Sequence, residues 1–236
     1  MTPEILRWPL VLLSIIYFFK LNAQTPGITY EEQPNMRVSF TNEKPVIDGK
    51  VDEDCWKKGR GAKDFWQLFP TDSIKNPVQT EIFMAYDKYN LYVAAICYSK
   101  GNKYIIPSLK RDFRAGGNDN VTFVFDSYND RTNAFVFGIN PLGVMREAVI
   151  ANGGRERSDF NENWDNKWHG EAFIGENYWS AEIVIPFAAL RFKENSTSWN
   201  FNAYVLVPVG DTEQQLNSVY EGGALDTYGL GVGYAI

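Results

Sequence analysis

The sequence predicts an all-β protein: an antiparallel β-sandwich of jelly-roll type with one or two short helices. Three observations predict it. Aromatic residues make up 15% of the chain, and Val, Ile, Phe and Tyr gather in short runs, the composition of pleated, half-buried surfaces. Those runs are bounded by Gly, Pro, Asn and Asp, the punctuation of strands and turns. No long stretch keeps the 3.6-residue period of an amphipathic helix. Strands that recur without helices between them pack sheet on sheet.

The elements follow in chain order. Arg7 precedes the uncharged run WPLVLLSIIYFF, and small Ala23 stands before Gln24. A basic start, an apolar stretch too short to span a bilayer comfortably and a small residue at the break read as a secretory signal over 1–23. An uncleaved anchor is the alternative, since Leu21 is larger than usual at its position. Either way the remainder is exported, to the periplasm, outer membrane or cell surface. Residues 24–43 are a leader or first strand, 44–210 the sandwich, and 211–236 a tail.

Within the sandwich, 79–87 alternates, with Ile82, Met84 and Tyr86 on one face. It is followed after Lys88-Tyr89 by the apolar run 90–98, so the two form a hairpin turned by Asp87 and Asn90. Residues 120–126 point Val121, Phe123 and Phe125 one way, with Thr122 and Val124 behind. Further strands are expected at 132–140, 143–150, 169–175, 178–186 and 199–208, with a Pro-Gly turn at NPLG. Two short helices are expected. One starts in VDEDCWKKG with Asp52 as N-cap and ends at Lys57-Lys58-Gly59. The other, IPFAALRF, has Pro186 in its first turn.

Charge and motif content exclude several functions. Lys and Arg number 23 against 29 Asp and Glu, so the surface is acidic, and no basic block appears. Such a surface repels phosphate backbones, and nucleic acid is not an expected partner. The single histidine, His169, rules out a histidine metal cluster and HExxH. No phosphate loop or G-x-S-x-G nucleophile is present, and no catalytic pair is assigned. Cys55 and Cys97 are the only cysteines. Export permits a disulfide between them, while the apolar run around Cys97 also suits a buried free thiol. The stretch DSYNDRTN (126–133) makes Asp126 and Asp130 weak calcium candidates, but the EF-hand template fails at Tyr128, Arg131 and Phe137. A polar hairpin loop is the other reading.

Binding candidates are aromatic and polar. Trp164 and Trp168 flank DNK, with Asn161, Glu162, Asp165 and Asn166 around them. A flat exposed indole can stack on a sugar ring, whereas a large aromatic at a strand start usually packs inward. Trp164 is therefore expected in a surface loop and Trp168 largely in the core. Trp66 with Phe69 in FWQLFP is a second platform candidate. In KRDFRAGGNDN (110–120), Arg111, Asp119 and Asn120 suit either a polar binding rim or a pair that pins a long loop.

Several runs together resemble the family 9 carbohydrate-binding module of the DOMON-like superfamily: KPVIDGKVDEDCW, VQTEIFMAYDKYNLYVAA, DNVTFVFDS, FVFGINPLGV and YWSAEIVIPFAALRF. They occur in the family's order across residues 40–208. FWQLFP, Arg111-Asp112 and NWDNKWHGEAF are closer to the subset found at the N-terminus of Bacteroidetes envelope proteins, ahead of a domain that looks like an outer-membrane barrel. The tail VYEGGALDTYGLGVGYAI has barrel-like spacing. The chain therefore looks like the front piece of a longer protein, or a relative that has lost the barrel. The resemblance implies a non-catalytic domain that binds sugar chain ends, serves polysaccharide catabolism and in some members holds structural calcium. It also implies two tryptophans clamping the sugar, one before the D-x-V strand and one after the last strands. Here Gly116-Gly117 stand at the first position, and no tryptophan follows Trp199. Two alternatives come with the resemblance: a plug or docking domain for an envelope barrel with no sugar ligand, and a haem-binding domain for which Met84 and His169 would be the axial ligands.

Overall fold

The computed structural model describes residues 36–59, 61–67, 79–209, 213–218 and 234–235. The leader at 1–23 and most of the tail lie outside the described residues, as does Phe69; of Trp66 only the backbone is described. Among the described residues the first elements are β1 (Ser39–Phe40), α1 (Asp54–Lys57) and β2 (Trp66–Gln67). Then come β3 (Thr80–Tyr86), β4 (Asn90–Tyr98), β5 (Asn120–Asp126), β6 (Ala134–Ile139), β7 (Met145–Ile150) and β8 (Phe160–Asn161). β9 (His169–Ile174), β10 (Tyr178–Pro186), β11 (Asn200–Val209), β12 (Glu213–Ser218) and β13 (Tyr234–Ala235) follow.

These strands form two sheets. One has the order β1-β3-β4-β10-β9, the other β2-β12-β11-β5-β6-β7-β8, with β13 also on β11. Neighbours are antiparallel except β1, which runs parallel to β3. The sandwich is therefore mixed at one edge, where the expected leading strand is only two residues long.

Alternation puts the core between the sheets. Ile82, Met84, Val93 and Ile183 from the first sheet meet Val121, Phe123, Phe125, Phe137 and Phe201 from the second. Each such side chain contributes about 1.5–3 kcal/mol by leaving water. Trp56, Trp179 and Trp199 are also buried. All seven residues of β5 are buried, because its outer face is covered as well: Val124 lies in a second cluster with Val136, Ala148 and Ile150.

The helices are smaller than the sequence suggests. α1 is one turn, and Glu53, not Asp52, stands at its N-cap without a side-chain cap bond. The IPFAALRF segment is a single 3-10 turn, Phe187–Ala189, with Pro186 still in β10. Both segments have too few residues to meet the cost of helix nucleation alone. They are held by what they cover. Trp56 and Cys55 pack on the outer face of the first sheet with Tyr92 and Ala94, and the Trp56 indole N–H donates to Glu182 at 2.9 Å. Glu182 is fully buried and also accepts the Asp48 and Gly49 backbone N–H groups. Burial pushes its carboxyl up to about 8; the Asp48 hydrogen bond opposes that shift and nearby Glu53 adds to it.

The cysteines do not form the disulfide that export would permit. Both are free. Cys97 points into the core between the sheets, and Cys55 packs under α1 on the opposite face of the same sheet. The sheet itself stands between the two thiols. Burial pushes the Cys55 thiol up to about 11, and Cys97 higher still. A thiol that resists ionisation is a poor nucleophile. The folded protein is therefore expected to react with a thiol reagent such as DTNB only on unfolding, at two equivalents. Addition of a reductant should leave Tm unchanged.

Candidate functional site

The site is built where the loop 108–118 and the loop 162–168 meet the start of β7. Asp112 takes a left-handed conformation, φ 58°, which lets a non-glycine residue reverse the chain sharply. Its N–H donates to Met145 O at 3.0 Å, and its carboxylate accepts the Glu147 N–H at 3.3 Å. This turn brings Arg111 over Glu147. Arg111 Nη2 donates to both carboxylate oxygens, at 2.6 and 2.7 Å.

Glu147 is 1% exposed, and a buried carboxylate must be paired and hydrogen-bonded to persist. Two more donors reach it: the Trp168 indole N–H at 3.0 Å and the Asn166 backbone N–H at 3.3 Å. Trp168 in turn packs edge-on against Phe137 at 5.3 Å and lies beneath the Arg111 guanidinium at 5.9 Å. Asn166 donates its side-chain N–H to Ala189 O at 2.6 Å, tying the loop to the turn after β10. One buried acid thus fixes both loops and an indole.

Three adjoining clefts open around this anchor. One, of about 610 Å³, is bordered by Arg111, Trp168, His169, Asn90 and Pro186. A second, of about 470 Å³, lies along Ser108–Arg114 and against Glu162 and Asn163. A third, of about 540 Å³, runs between Asp165–Lys167 and Pro186–Ala189. Asp165 borders all three. Its side chain and that of Lys167 are exposed at the rim.

The structure distributes the expected site residues unevenly. Arg111 and Trp168 meet in the first cleft. Trp168 is only 8% exposed, so its ring leaves little surface for a ligand. Trp164 is half-buried, its ring 5.3 Å from Phe135 and 6.1 Å from Phe137. Asp119 and Asn120 are buried and already engaged, which corrects their reading as rim ligands. Asp119 accepts the Ile105 N–H at 2.6 Å, and burial raises its carboxyl to about 6. Asn120 donates to Ala115 O and Asn118 O and accepts from Thr122. Both residues hold the long loop against the sheet.

The calcium candidates are likewise occupied within the fold. Asp126 accepts the N–H groups of Asp130 and Arg131 and the Asn200 side chain. Asp130 accepts from Thr132 and Asn133. Among the described residues no three His, Cys, Asp or Glu converge on a cation position. The haem pair is separated too. Met84 lies inside the sandwich core, whereas His169 is exposed on the edge strand beside Glu171.

Sequence reasoning missed Glu147, the centre of the anchor. The signal was present in MREAVI: adjacent opposite charges inside an otherwise apolar strand cannot both face water. In the structure Arg146 and Glu147 take opposite faces of β7, and both are buried.

Two sheets pressed face to face, with anchored loops at one rim, define the class: a β-sandwich whose open surface is a loop-built cleft system. The likeness to solved structures specifies it further, as a fold of the family 9 carbohydrate-binding-module type. A family 9 module from Caldicellulosiruptor kristjanssonii in complex with glucose matches at a TM-score of 0.54 and 16% identity, over 76% of this chain and 83% of that one. The same organism's module in complex with cellotriose matches at 0.50 and 16%, over 76% and 81%. A candidate carbohydrate-binding protein from Bacteroides uniformis matches at 0.56 and 11%, over 77% and 87%. At these identities the likeness is one of fold. No family model and no curated protein matches the chain.

Proposed function

We propose that this protein is an exported, non-catalytic carbohydrate-binding module that holds a poly- or oligosaccharide at the rim built by loops 108–118 and 162–168. The observation that carries this reading is the anchored rim itself. Exposed Asp165 borders three adjoining clefts and exposed Lys167 two of them, on a loop fixed by Glu147, in a fold shared with sugar-binding modules. Sugar recognition needs such prepositioned polar groups beside aromatic surface, because each hydroxyl stripped of water must regain a partner. Trp168 borders the first cleft, and half-buried Trp164 stands on the same loop. The basic, apolar leader pattern at 1–23 supports export, and polysaccharide capture ahead of degradation by partner enzymes is the role such a module fills. Among the described residues no helix is long and apolar enough to cross a membrane.

Titration with a panel of reducing-end and chain-end oligosaccharides, followed by tryptophan fluorescence, tests the reading. At least one saccharide is expected to bind. Asp165→Ala should weaken it about tenfold, the loss of roughly one hydrogen bond to a charged group, with no change in Tm. Trp164→Ala should remove the fluorescence response. The docking-domain reading draws on the empty clamp positions at Gly116-Gly117 and after Trp199. It predicts no saccharide binding at all.

A further inference from the structure

Arg146 carries a second observation, on the outer face of the β5–β6–β7 sheet. Its side chain is 4% exposed. The guanidinium carbon lies 5.9 Å from the centre of the Phe113 ring and 5.8 Å from that of Phe160. Gly138 stands opposite on β6, where an added Cβ would come within 2.8 Å of Arg146 Cγ. The slot is therefore shaped to the arginine stem, and the two phenyl rings hold the cation.

What the slot lacks is an adequate anion. Nη1 is buried without a hydrogen-bond partner. Nη2 has the Glu162 carboxylate at 3.7 Å, beyond hydrogen-bond distance, on a side chain 58% exposed. A guanidinium does not discharge by losing a proton, so burial leaves it dependent on what pairs with it. Glu147, its neighbour on the same strand, receives donors from three residues. The fold can satisfy a buried charge here, and for Arg146 it does not. Glu162 and Phe113 both border the cleft of about 470 Å³, with Lys110 and Arg114 also along it. On the same face of the sheet Asn202 Nδ2 is buried without a partner.

We propose that Arg146 determines specificity for an acidic saccharide, a uronic acid residue whose carboxylate enters beside Phe113 and replaces Glu162 at the guanidinium. This rests on the carbohydrate-binding reading and names its ligand class. A carboxylate fits because its two oxygens match the in-plane N–H pair of a guanidinium confined between rings. Glu162 holds the position loosely in the free protein. The pair forms between opposite charges, so binding weakens with salt.

The test uses oligosaccharides of galacturonic, glucuronic and mannuronic acid, each beside its neutral methyl ester, measured by calorimetry at two salt concentrations. The acids are expected to bind at least tenfold more tightly than the esters at low salt. Glu162→Gln should improve acid binding several-fold more than ester binding, because it removes the competing carboxylate. Arg146→Gln should abolish the preference; if that variant does not fold, Glu162→Gln decides. Equal binding of acid and ester, or acid binding unchanged or weakened by Glu162→Gln, overturns the proposal and leaves the carbohydrate reading standing. Binding of neither form, together with no binding of the neutral panel, overturns both.

Discussion

Replacing Arg111 with methionine is expected to destabilise the domain by about 3 kcal/mol, the low end for breaking a buried ion pair. Glu147 is 1% exposed and would keep only two N–H donors. Arg111 is itself 39% exposed, so water admitted at its position would offset part of the loss. Glu147→Gln in the same protein should recover most of the cost, because the amide oxygen still accepts from Trp168 and no charge is stranded. Urea denaturation of the two single variants and the double variant measures the coupling, expected near 2 kcal/mol for groups in one network. Additive costs would show that the pair does not hold the rim. The same single variant should weaken any saccharide bound between the loops, since Arg111 fixes the geometry of one and Glu147 that of the other.

Gly49→Ala should be at least as damaging, at roughly 2–5 kcal/mol. Gly49 sits at φ +85°, and an added Cβ would lie 2.5 Å from Ala172 C and 2.7 Å from both Ala172 Cα and Phe173 N, all backbone atoms. The left-handed conformation alone costs about 1–2 kcal/mol for a residue with a Cβ, and overpacking adds about 1–3 kcal/mol. The loop cannot retreat without further loss. Its N–H donates to buried Glu182 at 3.0 Å, and its carbonyl accepts from Ser180 at 2.6 Å. Gly143→Ala is the control: φ is +74°, but nothing lies closer than 3.8 Å. It should cost only the backbone preference. Equal losses in the two variants, read from urea midpoints, would show that packing against β9 is unimportant.

Much of the sandwich was legible because strand periodicity is local. β4, β5 and β10 begin and end where the sequence places them, and Val121, Phe123 and Phe125 face inward as their alternation requires. The two helices were overestimated for the opposite reason. Cap and charge signals describe where a helix could start, but its length here is set by how much of Trp56 and Phe187 the sheets cover. The rim was only half legible. Arg111 was found because it stands in a polar, glycine-rich loop. Asp119 and Asn120 looked equally available, but both turned inward to hold that loop.

The sequence by itself determined the fold class, the hairpins and the inward face of each central strand, since a two-residue period leaves one choice of buried face. Only the tertiary structure decided that Glu147 is the anchor, that Cys55 and Cys97 are separated by a sheet, and that Arg146 is buried with one loose partner. Those facts depend on which residues from distant strands meet across a face. Distance along the chain carries no record of that meeting, while the cost of burying a charge or a polar group depends on nothing else.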